Sequence, residues 1–374
     1  MKILINNIEP VDNIPPLIRA FLVIELEDFN FVLDDSRIAR YPAIRRDESK
    51  LMIVNRKTGK IQIEPFFRNI QNYLLAGDTI FFNETKVSKR RVYLKFPLQG
   101  NSQANTYRIH ETIFLEKTPD NNWICLVKNA RKLKLGDCLN SPNGNWNFTL
   151  IEKCEKNCIF TPNKLIDESF FDTEGNIPIP PYMKRMADSD DEIRYQSIFA
   201  KKIGSVASPT ASLHISEELQ EQLKLSGVGF SPLLLEIGYG TFNPITREDL
   251  IQKKLHLEKV SICKSTKANW IQATKNKTRR IALGTTSLRA LESMYRFGGI
   301  SNDEDWTFDT DIFITPNDRI DTIDGLITNF HLPKSSLLLL VCAFASKELI
   351  LEAYQTALKN EFRFYSYGDA MFIV

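Results

Sequence analysis

ITNFHLPKSSLLLLV, residues 327–341, sets one His, one Pro, one Lys and two Ser directly before an all-apolar run. A polar cluster there meets a buried helix. Pro333 has no N–H to donate and a preset φ, so the pattern predicts that it occupies the first turn of a helix running through Leu337, Leu340 and Phe344. Thr328, Asn329 and His331 then fall on the loop at the helix N-terminus, where free N–H groups and the positive end of the dipole favour anions and developing negative charge. Taken alone, the stretch reads most simply as a capped core helix, because capping signals are commoner than active sites.

Outward from it, three further segments crowd polar residues between apolar runs: GSVASPTASLHI (204–215), LEIGYGTFNPI (235–245) and LGTTSLRALES (283–293), followed by a terminal FRFYSYGDAMFIV (362–374). Residues 233–237 and 280–283 read as buried strands, 288–294 and 194–202 as helices, and 313–315 as a strand end. Strands followed by helices make this half an α/β pattern. Upstream, 66–75 reads as an amphipathic helix and 79–82 as a buried strand. From 87 to 172 the texture changes to short β-rich runs with polar turns and no helical period, which predicts a small β-barrel or sandwich.

The quoted segments, with DFNFVLDDSRIARYP (28–42), RRDESKLMIV (45–54), GDTIFFNETKV (77–87), NIPIPPYMKR (176–185) and RYQSIFAKKIGSVASPT (194–210), resemble the S-adenosylmethionine:tRNA ribosyltransferase-isomerase family of queuosine biosynthesis. The resemblance runs from about residue 28 to the last residue. It implies an α/β fold in which a discontinuous, barrel-like α/β main domain (1–86 and 174–374, with 1–25 an extension) carries an inserted small β-barrel domain (87–173). It further implies transfer and isomerisation of the ribosyl group of S-adenosylmethionine, a co-substrate, onto the 7-aminomethyl-7-deazaguanine wobble base of tRNA, with no metal.

That chemistry needs a base, an acid and tolerance of a sulfonium cation. His214 and His331 are the acid or base candidates, with His256 a third, because imidazole titrates near neutral pH. Glu236 and Asp324 join the catalytic set, while Glu258 and Asp369 are carboxylates able to orient a His, balance the sulfonium or pair with Lys and Arg. Gly284, Thr285, Thr286 and Ser287, between a strand and a helix, suit the methionine carboxylate or a phosphate; ordinary N-capping is the competing reading. Tyr239, Thr241, Phe242, Asn329 and Asp369 complete the expected S-adenosylmethionine contacts. Lys86, Arg90, Arg91, Arg131 and Lys132 flank the insert as an expected tRNA backbone surface, and Arg45, Arg46 and Asp47 are substrate-side candidates.

Several motif positions depart from the family pattern: Ser212 for Gly, Glu236 for His, Lys253 and Lys254 where a further His is expected, and Asn317 for Gly. They raise an alternative, a paralogue that binds tRNA or a nucleoside without ribosyl transfer. A serine hydrolase built on Ser205 or Ser335 is weaker, for want of nucleophile-elbow spacing. With 374 residues, 43% of them apolar, and a net charge of +2, the chain suits two globular domains whose RNA contacts are local basic patches. Six scattered cysteines and no secretory pattern point to reduced thiols, the cytoplasm and no zinc site; the longest apolar run, 337–345, falls well short of a membrane span.

Overall fold

The computed structural model describes residues 24–98, 107–154, 156–242, 244–301 and 303–374, together with the backbone but not the side chain of Phe242. Nearly all of the expected N-terminal extension therefore lies outside the described residues. In chain order the strands are β1 (Leu51–Val54), β2 (Ile61–Glu64), β3 (Thr79–Asn83), β4 (Thr85–Val87), β5 (Arg91–Pro97), β6 (Tyr107–Lys117), β7 (Trp123–Val127), β8 (Cys138–Asn140), β9 (Asn147–Lys153), β10 (Cys158–Pro162), β11 (Lys202–Ser205), β12 (Gly229–Leu235), β13 (Lys254–Ile262), β14 (Arg280–Leu283), β15 (Trp306–Ile312), β16 (Gly325–Asn329) and β17 (Ala370–Ile373).

Among the described residues, nine strands form one mixed sheet in the order β15-β13-β12-β3-β14-β16-β17-β1-β2. β12, β3, β14 and β16 are mutually parallel, whereas β13 and β17 run against their neighbours β12 and β16. The carboxyl ends of the four parallel strands therefore share one sheet edge with the start of β17, the start of β1 and the first half of β13. Open α/β sheets bind ligands at that kind of edge, where strand direction changes.

Both faces of the inner part of the sheet are covered, so β1, β3, β14 and β17 read as largely apolar runs, whereas the outer β2, β13 and β15 alternate. Ile80, Phe82, Ile281, Leu283, Leu51, Ile53 and Ile327 pack on one side with Phe67, Leu219 and Leu223. Phe81, Ala282, Met52, Val54 and Leu326 alternate to the other side, under the helices Thr285–Arg296, Ser336–Ala345 and Lys347–Lys359. Separately, β5 to β10 close a barrel in the order β10-β7-β6-β5-β8-β9. Its core takes Val92, Leu94, Phe114, Trp123, Phe148, Leu150 and Phe160, together with Phe170 and Phe171 from the helix Glu168–Glu174. A short parallel ladder of β4 with β11 lies beside the barrel entry, where Ser88 N donates to Ser205 O at 3.1 Å.

Three local expectations change. The helix after His331 starts at Ser336, not Pro333: Ser335 Oγ accepts from Leu338 N at 3.2 Å, and Lys334, at φ 56°, turns the chain between proline and cap. Residues 194–202 do not form a helix. An Asp188–Asp191 capping box starts a helix earlier, at Ser189, and it ends at Arg194; Gln196 then commits its amide to Val87 N and O. The 66–75 helix is a shorter 3-10 helix, Phe67–Asn72. Among the described residues no helix is long and apolar enough to cross a membrane.

Candidate active site

A cleft of about 840 Å³, open solvent at its mouth included, lies at the shared edge. Its walls are residues 207–211 after β11, Ile237 and Thr241 after β12, Gly284 to Thr286 with Arg289 after β14, the loop after β16, and Tyr365 and Ser366 before β17. Most of these walls follow or precede a strand of the large sheet, which fixes where their side chains stand; residues 207–211 follow β11 of the two-stranded ladder, and Tyr182 and Tyr195 complete the lining.

His331 is its buried imidazole. Thr328 Oγ1 and His331 Nε2 share a hydrogen bond of 2.7 Å, Thr328 Oγ1 also lies 3.3 Å from Asn329 O, and His331 Nδ1 has no hydrogen-bond partner among the described residues. The residue's backbone N donates to the Tyr354 hydroxyl at 2.8 Å. Burial pushes the His331 pKa down to about 3, so the ring is neutral at physiological pH.

His214 is placed differently, outside the lining of the cleft. Asn329 Nδ2 donates to its Nε2 at 3.0 Å, Nδ1 donates to Ser49 Oγ at 2.7 Å, and the ring stacks on Phe67 at 5.1 Å. Both nitrogens are occupied and the pKa is pushed down to about 3, by burial first and then by Arg363 and Arg46. What His214 does is hold Asn329, whose amide also donates to Tyr365 O at 3.1 Å and accepts from Thr210 Oγ1 at 3.1 Å.

On the β14 flank the start of the Thr285–Arg296 helix has no side-chain cap. Gly284 takes φ 94°, a conformation that favours glycine. Ser287 turns its hydroxyl back to Leu283 O at 2.8 Å, while the buried hydroxyls of Thr286 and Ser208 have no partner. The N-capping alternative for this segment therefore falls away. Arg289, 4% exposed, pairs through Nη1 with Glu258 Oε2, and its Nε and Nη2 have no partner. Glu258 Oε1 accepts from His256 Nε2 at 3.2 Å, Thr241 Oγ1 at 3.2 Å and Gly238 N at 3.3 Å. Despite its burial, Arg289, His256 and that amide hold its pKa down to about 2. Gly240 lets His256 approach: an added Cβ would meet His256 Cγ at 2.5 Å.

On the β17 flank Tyr182 and Tyr365 put their rings 4.6 Å apart at 55°. The Tyr182 hydroxyl lies 2.5 Å from Ser366 Oγ, and burial raises its pKa to about 12. Among the described lining residues there is no carboxylate.

Of the residues singled out in the sequence, the fold brings Gly284, Thr285, Thr286, Asn329, His331 and Thr241 to the cleft, with His256 and Glu258 behind Thr241. Others stand elsewhere. Asp324 precedes β16, at the opposite end of a strand that rises about 16 Å, and is paired with Arg280 at 2.9 Å. Glu236 alternates away from the cleft-lining Ile237 and lies against Gly204, where burial raises its pKa. Asp369 braces the chain by accepting from Lys50 N at 2.8 Å and Arg363 N at 2.7 Å. Tyr239 is half-buried outside the lining, and the Phe242 side chain lies outside the described residues. Arg46 turns its guanidinium to the carbonyls of Ile193, Arg194 and Leu213.

The sequence reading missed Arg289, Ser208, Tyr182 and Tyr365. Arg289 had a signal: a charge inside a helix buried from Thr285 to Met294 requires a partner.

Comparisons with known proteins bear on the whole chain. The family described as "Queuosine biosynthesis protein" matches residues 26–373. The S-adenosylmethionine:tRNA ribosyltransferase-isomerase of Sulfurihydrogenibium sp. (strain YO3AOP1) is 41% identical over 350 residues, 94% of this chain and 100% of the relative. Its namesake from Thermosipho africanus (strain TCF52B) is 41% identical over 93% of this chain and 99% of the relative. The crystal structure of S-adenosylmethionine tRNA ribosyltransferase from Thermotoga maritima superposes with a TM-score of 0.53 at 30% identity, covering 93% of this chain and 100% of that one. Matched by the family model over residues 26–373 and by relatives 41% identical over 93–94% of its length, this chain belongs to the queuosine biosynthesis protein family.

Proposed function

We propose that the cleft transfers and isomerises the ribosyl moiety of S-adenosylmethionine onto the 7-aminomethyl-7-deazaguanine wobble base of tRNA, yielding epoxyqueuosine-tRNA, adenine and methionine. The observation that carries this reading is the cleft itself: a neutral histidine, facing tyrosines and unpaired donors, in a chain related along its length to enzymes named for that reaction. In the same reading, residues 87–173 are the inserted unit, 1–86 and 174–374 the catalytic one, and the protein works in the cytoplasm.

The sulfonium acidifies its neighbouring 5′ carbon, the attacking amine must be neutral, and adenine leaves more readily when protonated. His331, unprotonated at neutral pH, offers Nδ1 as an acceptor at the reacting groups; it stores no proton. Tyr182 and Tyr365 offer ring faces to the cation. Lys86, Arg131 and Lys132, all exposed, are the phosphate contacts.

The test is incubation with S-adenosylmethionine and tRNA carrying the aminomethyl base, read by mass spectrometry for the modified nucleoside and by chromatography for adenine. Both appear, and His331→Ala lowers their rate by about 10²-fold or more. Binding of both substrates without either product would overturn the reading in favour of a non-transferring paralogue.

A further inference from the structure

We propose that the Nε/Nη2 edge of Arg289, with the Thr286 hydroxyl and the uncapped amides that follow Gly284, seats the carboxylate at the amino-acid end of the co-substrate and makes the site selective for an intact α-amino acid. The proposal rests on the reading that S-adenosylmethionine is the co-substrate.

A guanidinium presents Nε–H and one Nη–H side by side, in a fork that matches the two oxygens of a carboxylate. In Arg289 the other nitrogen, Nη1, is committed to Glu258, and the fork is the part left over. Glu258 is saturated by Arg289, His256, Gly238 N and Thr241, so it holds the guanidinium in place and has no capacity to turn it. Buried donors without partners are rare in folded proteins because each forfeits its hydration. Here the fork, the Thr286 hydroxyl and the Ser208 hydroxyl are all in that condition, and all belong to residues lining one cleft.

The helix start adds to this. Its 12 residues align their dipole on the cleft, and the N-cap, Gly284, has no side chain to occupy the first amides. Leu288 N is the first amide of that turn to find a backbone acceptor, Gly284 O at 3.2 Å. A phosphate of the RNA backbone has the same chemistry for a fork. The carboxylate is favoured because Arg289 is only 4% exposed, at a depth that the free end of a small molecule reaches and a phosphodiester inside a polynucleotide backbone does not.

The experiment compares S-adenosylmethionine with its decarboxylated analogue, which differs only in the group at issue. The unaltered protein is expected to prefer S-adenosylmethionine by about 100-fold in kcat/KM. Arg289→Gln combined with Glu258→Gln, which leaves no unpaired charge, brings that ratio toward unity, mainly by raising KM for S-adenosylmethionine. Thr286→Val, which disturbs no ion pair, lowers the ratio by a smaller factor. A ratio near unity in the unaltered protein, or one unmoved in the double variant, overturns the proposal. So does a loss of tRNA affinity in the double variant with the ratio intact, which would assign the fork to a phosphate. Calorimetric binding of the two compounds separates the underlying reading: preferential binding of S-adenosylmethionine without turnover leaves the seat standing and removes the transferase, while no binding removes both.

Discussion

Asn329 and Arg289 stand on two flanks of one cleft, equally buried, and their hydrogen bonds tell opposite stories. Asn329 has every polar atom engaged: Nδ2 donates to His214 and Tyr365 O, and Oδ1 accepts from Thr210. Arg289 uses one nitrogen of three. A buried polar group whose bonds are all made is a brace, because any ligand would have to break them. One whose bonds are missing is held for something that is not yet there. Polarity and proximity to the cleft do not separate the two; the hydrogen bonds do.

The strongest way to break that contrast is to remove the one partner Arg289 has. Glu258→Ala strands a buried guanidinium and should cost about 3–5 kcal/mol of unfolding free energy, measured by urea denaturation of the ligand-free protein. A cost below about 1 kcal/mol would mean that Arg289 is not held by Glu258, and the picture of a fixed, half-used guanidinium would fail.

Acid titration of stability sharpens the comparison from the other side. His214 and His331 are alike in burial and differ in partners, and both are pushed to about 3 from an ordinary value of 6.5. The unfolded chain therefore binds more protons than the folded one between those values. Stability from the two neutral rings is complete above pH 6.5 and is lost as pH falls from 6.5 toward 3. Each contributes a slope of up to about 1.4 kcal/mol per pH unit in that window. His214→Gln and His331→Gln should each remove one proton's worth of slope. His214→Gln should also loosen Asn329 and lower overall stability, whereas His331→Gln should act mainly on turnover. Equal stability losses from both would erase the distinction between brace and reacting group.

What the sequence made legible was local. Gly284 to Thr286, Asn329 and His331 follow directly on buried strands, so an apolar run ending in polar residues pointed to them. The barrel's texture was equally plain from its short strands and turns. What stayed hidden depends on distant pairing. His214 and His331 read alike until the fold gives one of them Ser49 and Asn329 from distant parts of the chain. Glu258 lies 31 residues from Arg289, and only the β12–β13 ladder brings it to the edge. Asp324 is close to His331 in sequence and a full strand away in space, since β16 lies between them. Pro333 misled because proline tolerates the first turn but does not cap it, and Ser335 could.

The same criterion sorts the basic residues around the barrel, and here the expected effect is smallest. Arg90 is tied to Glu168 at 2.7 Å and sits over the Phe171 ring at 4.6 Å; Arg91 is buried, paired with Glu111 at 3.1 Å and bonded to Ile179 O at 2.8 Å. These two, expected from the sequence to contact tRNA, are engaged within the protein: Arg90 by hydrogen bonds to Ser88 and Glu168, Arg91 through Nη2, while its Nε makes an ion pair without a hydrogen bond. Lys86, Arg131 and Lys132 are exposed and have no ion pair among the described residues. Arg131→Glu with Lys132→Glu should therefore leave unfolding unchanged, weaken tRNA binding, and flatten the logarithmic salt dependence by roughly one unit for each phosphate no longer neutralised. Arg90→Ala should do the reverse, lowering stability and leaving that slope where it was. If instead the slope follows Arg90 and ignores Arg131 and Lys132, satisfied cations are gripping the RNA, and hydrogen-bond saturation fails as a guide to which charges are free to bind.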